Sequence, residues 1–470
     1  MCFKDFKKSG FLTSFIILFK FKPEQMKAFK AYDIRGIYNE EFTKEDAYKI
    51  GYFLPELLQA DNVLVGRDVR VSSDEIFESL AQGIIDSGAS VYNIGLATTP
   101  MVYYMTAKHK FSASVQITAS HNSREYNGMK ISRANALPVG FDTGLSALLE
   151  MMNTREVVIA EKKGKIIDYR VKDEYIQFLK TYVQDYSKLK IVVDCSNGMA
   201  GLLIKKLLGK DPKYIFDEMD GTFPNHEPNP LIEENVAELK KTVLAEKCDI
   251  GIIFDGDADR VMFVDEKGKF ISPDLIIGLM AHYFLEKEKG NVLEDIRTSK
   301  AVKEYIENMG GKMHTWRVGR AFASPKLKEI KGIYGGELAG HYYFRDFFYS
   351  DSGILASLIV LNLLLRFKKE GKTISELIAK INKYANSGEI NFKIEQKQKA
   401  IDALKNYFVA KEEPTEILDF DGYRIEFKSW WFNVRPSNTE PYLRLLVEAD
   451  NEKILKEKVE EIKTILKKFK

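Results

Sequence analysis

Three carboxylates at alternate positions are the sharpest chemical feature of the sequence. Residues 248–264 read CDIGIIFDGDADRVMFV, with Asp255, Asp257 and Asp259 between two apolar runs and Arg260 immediately after. In an extended backbone, residues i, i+2 and i+4 point the same way, so three anions would converge and repel one another without a cation among them. Oxygen-only ligands suit a hard ion such as Mg²⁺. The plainer alternative is a polar hairpin tip, because Asp-Gly is a common turn signal. A calcium-binding helix–loop–helix does not fit: Glu266 falls at the twelfth loop position, but Arg260 stands at the sixth, where glycine is required.

Three further segments carry reactive groups. ITASHNSREYNG (117–128) places Ser120 in a polar loop after a strand-like run, beside His121 and Asn122 and near Lys130. A loop serine is most often a turn residue, but a strand end with an imidazole and an amine nearby is also the setting of a nucleophile. GGELAGH (335–341) holds Glu337 and His341 in a loop whose glycines let a ligand approach the backbone. Glu337 could bond paired sugar hydroxyls and His341 could move a proton near neutral pH, against the plainer reading as a helix-capping turn. NVRPSNTEPYLRL (433–445) brackets Ser437, Asn438 and Thr439 with Arg435 and Arg444. Two guanidinium groups around small donors suit a phosphate better than a lone carboxylate. YDIRG (32–36) adds Tyr32 and Arg35, although Arg35, like Arg67 in VGRDVR, reads equally well as a surface arginine.

The elements that must position these loops alternate. Runs 62–68, 90–96, 112–118, 189–196, 248–255 and 331–336 read as strands, and 72–88, 200–209, 234–247 and 352–369 as helices. Strand then helix, repeated, predicts an α/β fold with mainly parallel sheets, whose ligands gather beyond the strand carboxyl ends. The last ninety or so residues differ. Strand-like 422–436 and 442–450 precede a lysine-rich helix at 452–470, which predicts a small α+β domain. No internal repeat is visible in the sequence.

Composition sets broad limits. A chain of 470 residues, 45% hydrophobic and 29% charged, is globular in composition and long enough for three or four domains. A net charge of +2 gives no electrostatic case for nucleic acid or an anionic membrane as partner. Cys2, Cys195 and Cys248 are too scattered for a disulfide framework or a metal motif and fit a reducing cytoplasm. The N-terminal run from Phe11 to Phe19 is too short to span a membrane and lacks a small-residue cleavage site. Residues 1–25 are therefore expected to be an extension outside the core fold, with Met26 a natural start.

Together the motifs resemble the α-D-phosphohexomutase superfamily, in its phosphomannomutase/phosphoglucomutase branch. YDIRG, TASHN, DGDADR, GGELAGH and RPSNTEP occur in the family's order from about residue 26 onward. The resemblance implies three related α/β domains and a C-terminal α+β domain around one cleft, here expected at 26–166, 167–269, 270–381 and 382–470. It implies phosphoserine at Ser120, and Mg²⁺ held by Asp255, Asp257, Asp259 and a phosphoserine oxygen. It implies Lys130 as general acid, His341 as general base, and Arg35 and Arg260 at the reacting phosphate. Tyr32, Arg320 and Glu337 would contact the sugar, and Arg435, Ser437, Asn438, Thr439 and Arg444 the other phosphate. A hexose 1,6-bisphosphate would serve as intermediate and activator, and the enzyme would be a monomer or weak homodimer. The two phosphate sites lie on different domains, which predicts closure on the substrate.

Two positions depart from the branch: Ala339 where relatives often carry serine, and Arg320 where they often carry histidine. Both concern the sugar. Mannose and glucose phosphates are the first expectation and glucosamine phosphates the second. A serine-nucleophile phosphatase or a non-catalytic sugar-phosphate-binding protein are the alternatives from other classes.

Overall fold

The computed structural model describes residues 16–17, 27–437 and 442–469. Among the described residues, four large sheets follow one another along the chain beside one two-stranded pair, and the first three large sheets share a plan. In the second, Ile191–Asp194 pairs in parallel with Lys213–Ile215 and with Ile250–Phe254, which turns back antiparallel into Val261–Asp265 and then Phe270–Ile271. In the third, Asn291–Asp295 pairs in parallel with Lys312–Trp316 and Tyr334–Gly336, followed by antiparallel Tyr342–Phe344 and Ser350–Asp351. In the first, Asn62–Arg67 lies between Ser90–Leu96 and Ala113–Ile117, with antiparallel Tyr126–Arg133 next and Ile34–Ile37 beyond it. The chain thus contains the internal duplication that its letters do not show.

This plan decides where the reactive loops sit. In each of the first three domains a parallel strand (Ala113–Ile117, Ile250–Phe254 or Tyr334–Gly336) hairpins into an antiparallel one, and the hairpin loop is a motif: 118–125, 255–260 and 337–341. The parallel strands Ile191–Asp194 and Ile250–Phe254 are buried along their whole length, which is why they read as unbroken Val/Ile runs. The long helix Gly353–Lys369 is apolar nearly all round because it is buried nearly all round, and the Ser352 side chain caps its start. One hydrophobic core runs through the second and third domains and takes in Met101, Val102, Tyr104 and Met105 of the first domain's helix Thr99–Lys108.

Several expectations need correction. The first sheet ends on Ile166–Asp168, so the boundary expected after residue 166 falls inside a strand. Ile16–Ile17 pairs with Val157–Val158, so two residues of the expected extension lie against the first domain, and the rest of 1–25 is outside the described residues. The strand-like run 422–436 is a hairpin, Tyr423–Glu426 and Trp430–Pro436, broken by the Lys428–Ser429 turn. The expected helix 200–209 splits at Leu203 into a single turn and the short helix Ile204–Leu208. In the fourth domain an antiparallel sheet centred on Trp430–Pro436 and Tyr442–Ala449 packs on helices Lys397–Lys411 and Glu452–Leu466.

Candidate active site

Ser120 stands at the head of the first hairpin loop. It is fully buried, with φ at +52°, and its Oγ donates to Asp255 Oδ2 at 2.8 Å. The DGDAD loop comes up against it from the second domain, and a Cβ at Gly256 would lie 2.5 Å from the Ser120 carbonyl oxygen, so only glycine fits there. The three aspartates converge, but not along an extended strand. They line a turn in which Ala258 takes φ +61°, and one oxygen from each lies within 4.8 Å of the others.

The electrostatics of this cluster are severe. Asp255, Asp257 and Asp259 are all fully buried. Burial and the two neighbouring carboxylates push the Asp255 carboxyl well above the ordinary range. Burial would raise Asp259 too, but Lys130 overrides it and holds that carboxyl low. Lys130 Nζ donates to Asp257 Oδ2 at 2.7 Å and also to Asp259. Against the effect of burial, these carboxylates hold its ammonium well above the usual lysine value, so it stays a proton donor. Thr99, at the start of its helix, donates its hydroxyl to Asp257 Oδ2 and its amide to the Asp257 carbonyl at 3.1 Å. Asp257 Oδ1 and Asp259 Oδ1 are buried without a hydrogen-bond partner. Orphaned buried carboxylate oxygens beside Ser120 fit a hard divalent cation.

The third domain closes the other side. His341 Nδ1 faces Asp351 Oδ2 at 2.6 Å, and Arg260 Nε donates to His341 Nε2 at 2.9 Å. These partners place the imidazole proton on Nδ1 and the lone pair on Nε2. Glu337 is buried with both oxygens taken: Tyr343 donates its hydroxyl at 2.5 Å and Gly319 its amide at 2.9 Å. Burial raises its carboxyl. Arg320 does not stand free before a sugar. Its Nε donates to Asp351 at 3.0 Å, its Nη2 to the Ala136 carbonyl at 2.8 Å, and its guanidinium lies over the Tyr103 ring. Tyr32 packs edge-on to Phe322 and against Gly319, where a Cβ would meet its ring at 2.7 Å. Arg35 bonds Asp33 at 2.5 Å and Asn122 at 2.8 Å.

The fourth domain presents two arginines side by side. Arg435 and Arg444 are directly opposite each other on paired strands. Like charges in that register repel, so the pair asks for an anion. Asp421 meets Arg435 at 3.2 Å and Glu389 meets Arg444 at 3.0 Å. Ser437 follows Arg435 by two residues, with its amide on the Tyr442 carbonyl; Asn438 and Thr439 lie outside the described residues.

Comparison with known proteins agrees with this geometry. Models of phosphoglucomutase/phosphomannomutase alpha/beta/alpha domains I, II and III match residues 26–156, 173–268 and 272–384, and that of the C-terminal domain matches 389–465. The phosphomannomutase of Vibrio cholerae is 36% identical over 464 residues, covering 95% of this chain and 99% of its own. This chain belongs to the phosphoglucomutase/phosphomannomutase family. The phosphomannomutase of Methanocaldococcus jannaschii is 36% identical over 452 residues, 94% of this chain and 98% of its own. A crystal structure of a phosphoglucomutase/phosphomannomutase family protein from Burkholderia thailandensis superposes with a TM-score of 0.84 at 28% identity, covering 94% and 97% of the two chains. As a member, the chain is a phosphohexomutase, an isomerase.

Several residues around this mutase's cleft escaped the sequence reading. Asp351 orients His341 and anchors Arg320, yet SDSG at 350–353 reads only as a helix start. Thr99, Tyr343, Asp421 and Glu389 likewise gain meaning from partners far away in sequence. A faint local signal did exist: an aspartate ends or directly follows the first parallel strand of each domain (Asp68, Asp194, Asp295) and accepts the amide two residues on. Among the described residues no helix is long and apolar enough to cross a membrane.

Proposed function

We propose that the chain interconverts hexose 1-phosphate and hexose 6-phosphate, with mannose or glucose as the sugar, through phosphorylated Ser120 and a hexose 1,6-bisphosphate. The observation that carries this reading is the Ser120 hydroxyl, bonded to one of three buried aspartates, two of which, Asp257 and Asp259, each keep an oxygen that accepts no hydrogen bond. The sugar choice is supported by the curated relatives named phosphomannomutase.

The residues divide the work. Mg²⁺ held by Asp255, Asp257, Asp259 and the seryl phosphate would supply positive charge to the transferring phosphoryl group. A sugar hydroxyl oxygen bonds to phosphorus while the bond from phosphorus to Ser120 Oγ breaks. The hydroxyl proton passes to His341 Nε2, which Arg260 uncovers when its guanidinium turns to the phosphoryl oxygens. Lys130, held protonated, returns a proton to Ser120 Oγ. Arg35 and Arg260 balance charge on the equatorial oxygens, where such a loose transition state gathers it. Arg435, Ser437, Asn438, Thr439 and Arg444 grip the phosphate that does not react. Glu337, already fixed by Tyr343 and Gly319, orients the sugar together with Tyr32. Arg320 acts behind His341 through Asp351.

Phosphorus NMR of mannose 1-phosphate and glucose 1-phosphate, with Mg²⁺ and a trace of bisphosphate, tests the reading. Conversion to the 6-phosphates without inorganic phosphate is expected. Release of inorganic phosphate as the main product would indicate a phosphatase, and turnover of glucosamine phosphates alone would overturn the sugar assignment.

A further inference from the structure

We propose that Arg70 is a positioning residue for phosphoryl transfer, fixing the backbone of the Ser120 loop from behind; the inference rests on the reading of Ser120 given above. All five N–H bonds of its guanidinium are used. Nε donates to Asp68 Oδ2 at 3.2 Å. Nη1 donates to the carbonyls of Ser123 and Tyr126 at 2.7 and 3.0 Å. Nη2 donates to those of Ser120 and Asn122 at 2.8 and 2.6 Å. Four of the five acceptors are therefore main-chain oxygens of the one hairpin that carries the nucleophile, three in its loop and one, that of Tyr126, where the next strand begins. The side chain is fully buried, so it reaches neither solvent nor substrate.

The loop needs such a support. Ser120 is held at φ +52°, a left-handed conformation that a serine adopts only when its surroundings impose it. Its carbonyl is trapped between Arg70 on one side and Gly256 on the other. Arg70 is itself fixed. Its own amide donates to Asp68 Oδ1 at 3.0 Å, Ser73 Oγ donates to the same oxygen at 2.6 Å, and the Phe223 ring of the second domain covers the guanidinium at 5.0 Å. The second domain's loop also closes in at Gly221, where a Cβ would lie 2.3 Å from the Val69 carbonyl. Arg70 thus joins the loop that carries Ser120 to the domain that carries the aspartates.

The third domain repeats the turn with a different outcome. Asp295 accepts the Arg297 amide at 2.8 Å and its Nη2 at 2.8 Å, but there the aspartate itself takes the Leu338 amide of the hairpin loop, at 2.7 Å. Arg297 turns away toward Glu389. In the first domain the arginine alone spans the loop, and only a planar fork with five donors can meet five acceptors; lysine offers three donors from one point.

The test compares wild type with Arg70→Lys and Asp68→Asn. Mutase kcat and KM, hydrogen exchange at 119–126, and the rate at which a hexose 1,6-bisphosphate phosphorylates Ser120 are measured together. Arg70→Lys is expected to lower kcat about 100-fold, the scale on which small misplacements act. KM should stay within about threefold, Ser120 phosphorylation should slow in proportion, and the loop amides should exchange faster. Unchanged kcat and loop protection in folded Arg70→Lys would overturn the proposal, as would a raised KM with kcat intact. If Arg70→Lys does not fold, Asp68→Asn decides: a kcat loss of about tenfold supports the role, and wild-type kcat refutes it. Wild type that takes no phosphoryl group on Ser120 would refute the underlying mutase reading, even if the lysine variant still loosened the loop.

Discussion

The second and third domains share one sheet plan and place opposite conditions at the same hairpin. In the second, the loop brings three buried carboxylates together and leaves two of their oxygens without a hydrogen bond. In the third, every acid and base of the loop is already engaged: Glu337 by Tyr343 and Gly319, His341 by Asp351 and Arg260. The topology fixes where a loop stands. The hydrogen-bond inventory then decides whether the loop keeps open carboxylate oxygens or presents an oriented surface whose acids and bases are already engaged. Reactive charge left unpaired is costly when buried, so it is confined to the place where phosphoryl transfer needs it.

The sharpest way to break this contrast is at the nucleophile between the two loops. Ser120→Ala should reduce turnover by at least about 10³-fold, since no other group can carry the phosphoryl. Retained turnover in a coupled 6-phosphate assay would end the covalent account. Asp259→Asn removes one orphan oxygen and one anchor of Lys130. Activity should fall about 10²-fold to 10³-fold at fixed Mg²⁺, and Mn²⁺ titration followed by electron paramagnetic resonance should show weaker binding. Equal metal affinity in the variant would mean that the orphaned oxygens serve another purpose.

On the third domain's side the effect of Asp351 should be smaller, because it orients His341 rather than reacting itself. Asp351→Asn frees the His341 tautomer and unties Arg320. A loss of about 10-fold to 100-fold in kcat is expected, with metal binding unchanged. A changed metal affinity would blur the division between the two loops. Stability should also distinguish them. Glu294, on the strand Asn291–Asp295 of the third sheet, is fully buried with Oε2 accepting no hydrogen bond, and burial pushes its carboxyl up to about 8. Its folded value lies above its unfolded value. The associated stability is therefore present at acid pH and lost as pH rises through about 8, on the order of a few kcal/mol. Glu294→Gln should flatten the fall in Tm expected of the wild type between roughly pH 5 and pH 9, about the window between the two values. Parallel curves would show that Glu294 ionises elsewhere. The smallest effect is expected from Tyr343→Phe, which strips one donor from Glu337: about 1–3 kcal/mol of stability by chemical denaturation, with kcat nearly intact.

The fold class and the reactive loops were legible because their chemistry is local in sequence. DGDADR, TASHN and GGELAGH each hold several functional groups within a few residues, and the strand before DGDADR is an unbroken apolar run. What was not legible depends on contacts across domains. Arg320 reads as a sugar contact until Asp351 and the Ala136 carbonyl are seen to hold it. Arg70 draws no notice in the sequence, and its place emerges only when four carbonyls of the Ser120 hairpin are found around it. The threefold repeat lies in strand pairing and in the aspartate turns at Asp68, Asp194 and Asp295, which share one residue type and little else. The aspartates converge through a turn at Ala258 rather than along a strand, a geometry that alternation alone could not distinguish.

One measurement bears most directly on the claim that the second domain's open carboxylates serve a phosphoryl group on Ser120. The protein is incubated with a hexose 1,6-bisphosphate, with and without Mg²⁺, and the site of phosphorylation is mapped by mass spectrometry of its peptides. The account predicts one phosphoryl group, on Ser120, exchanged rapidly only when Mg²⁺ is present. Turnover of hexose 1-phosphate with Ser120 unmodified throughout, or with the group on another residue, would contradict it.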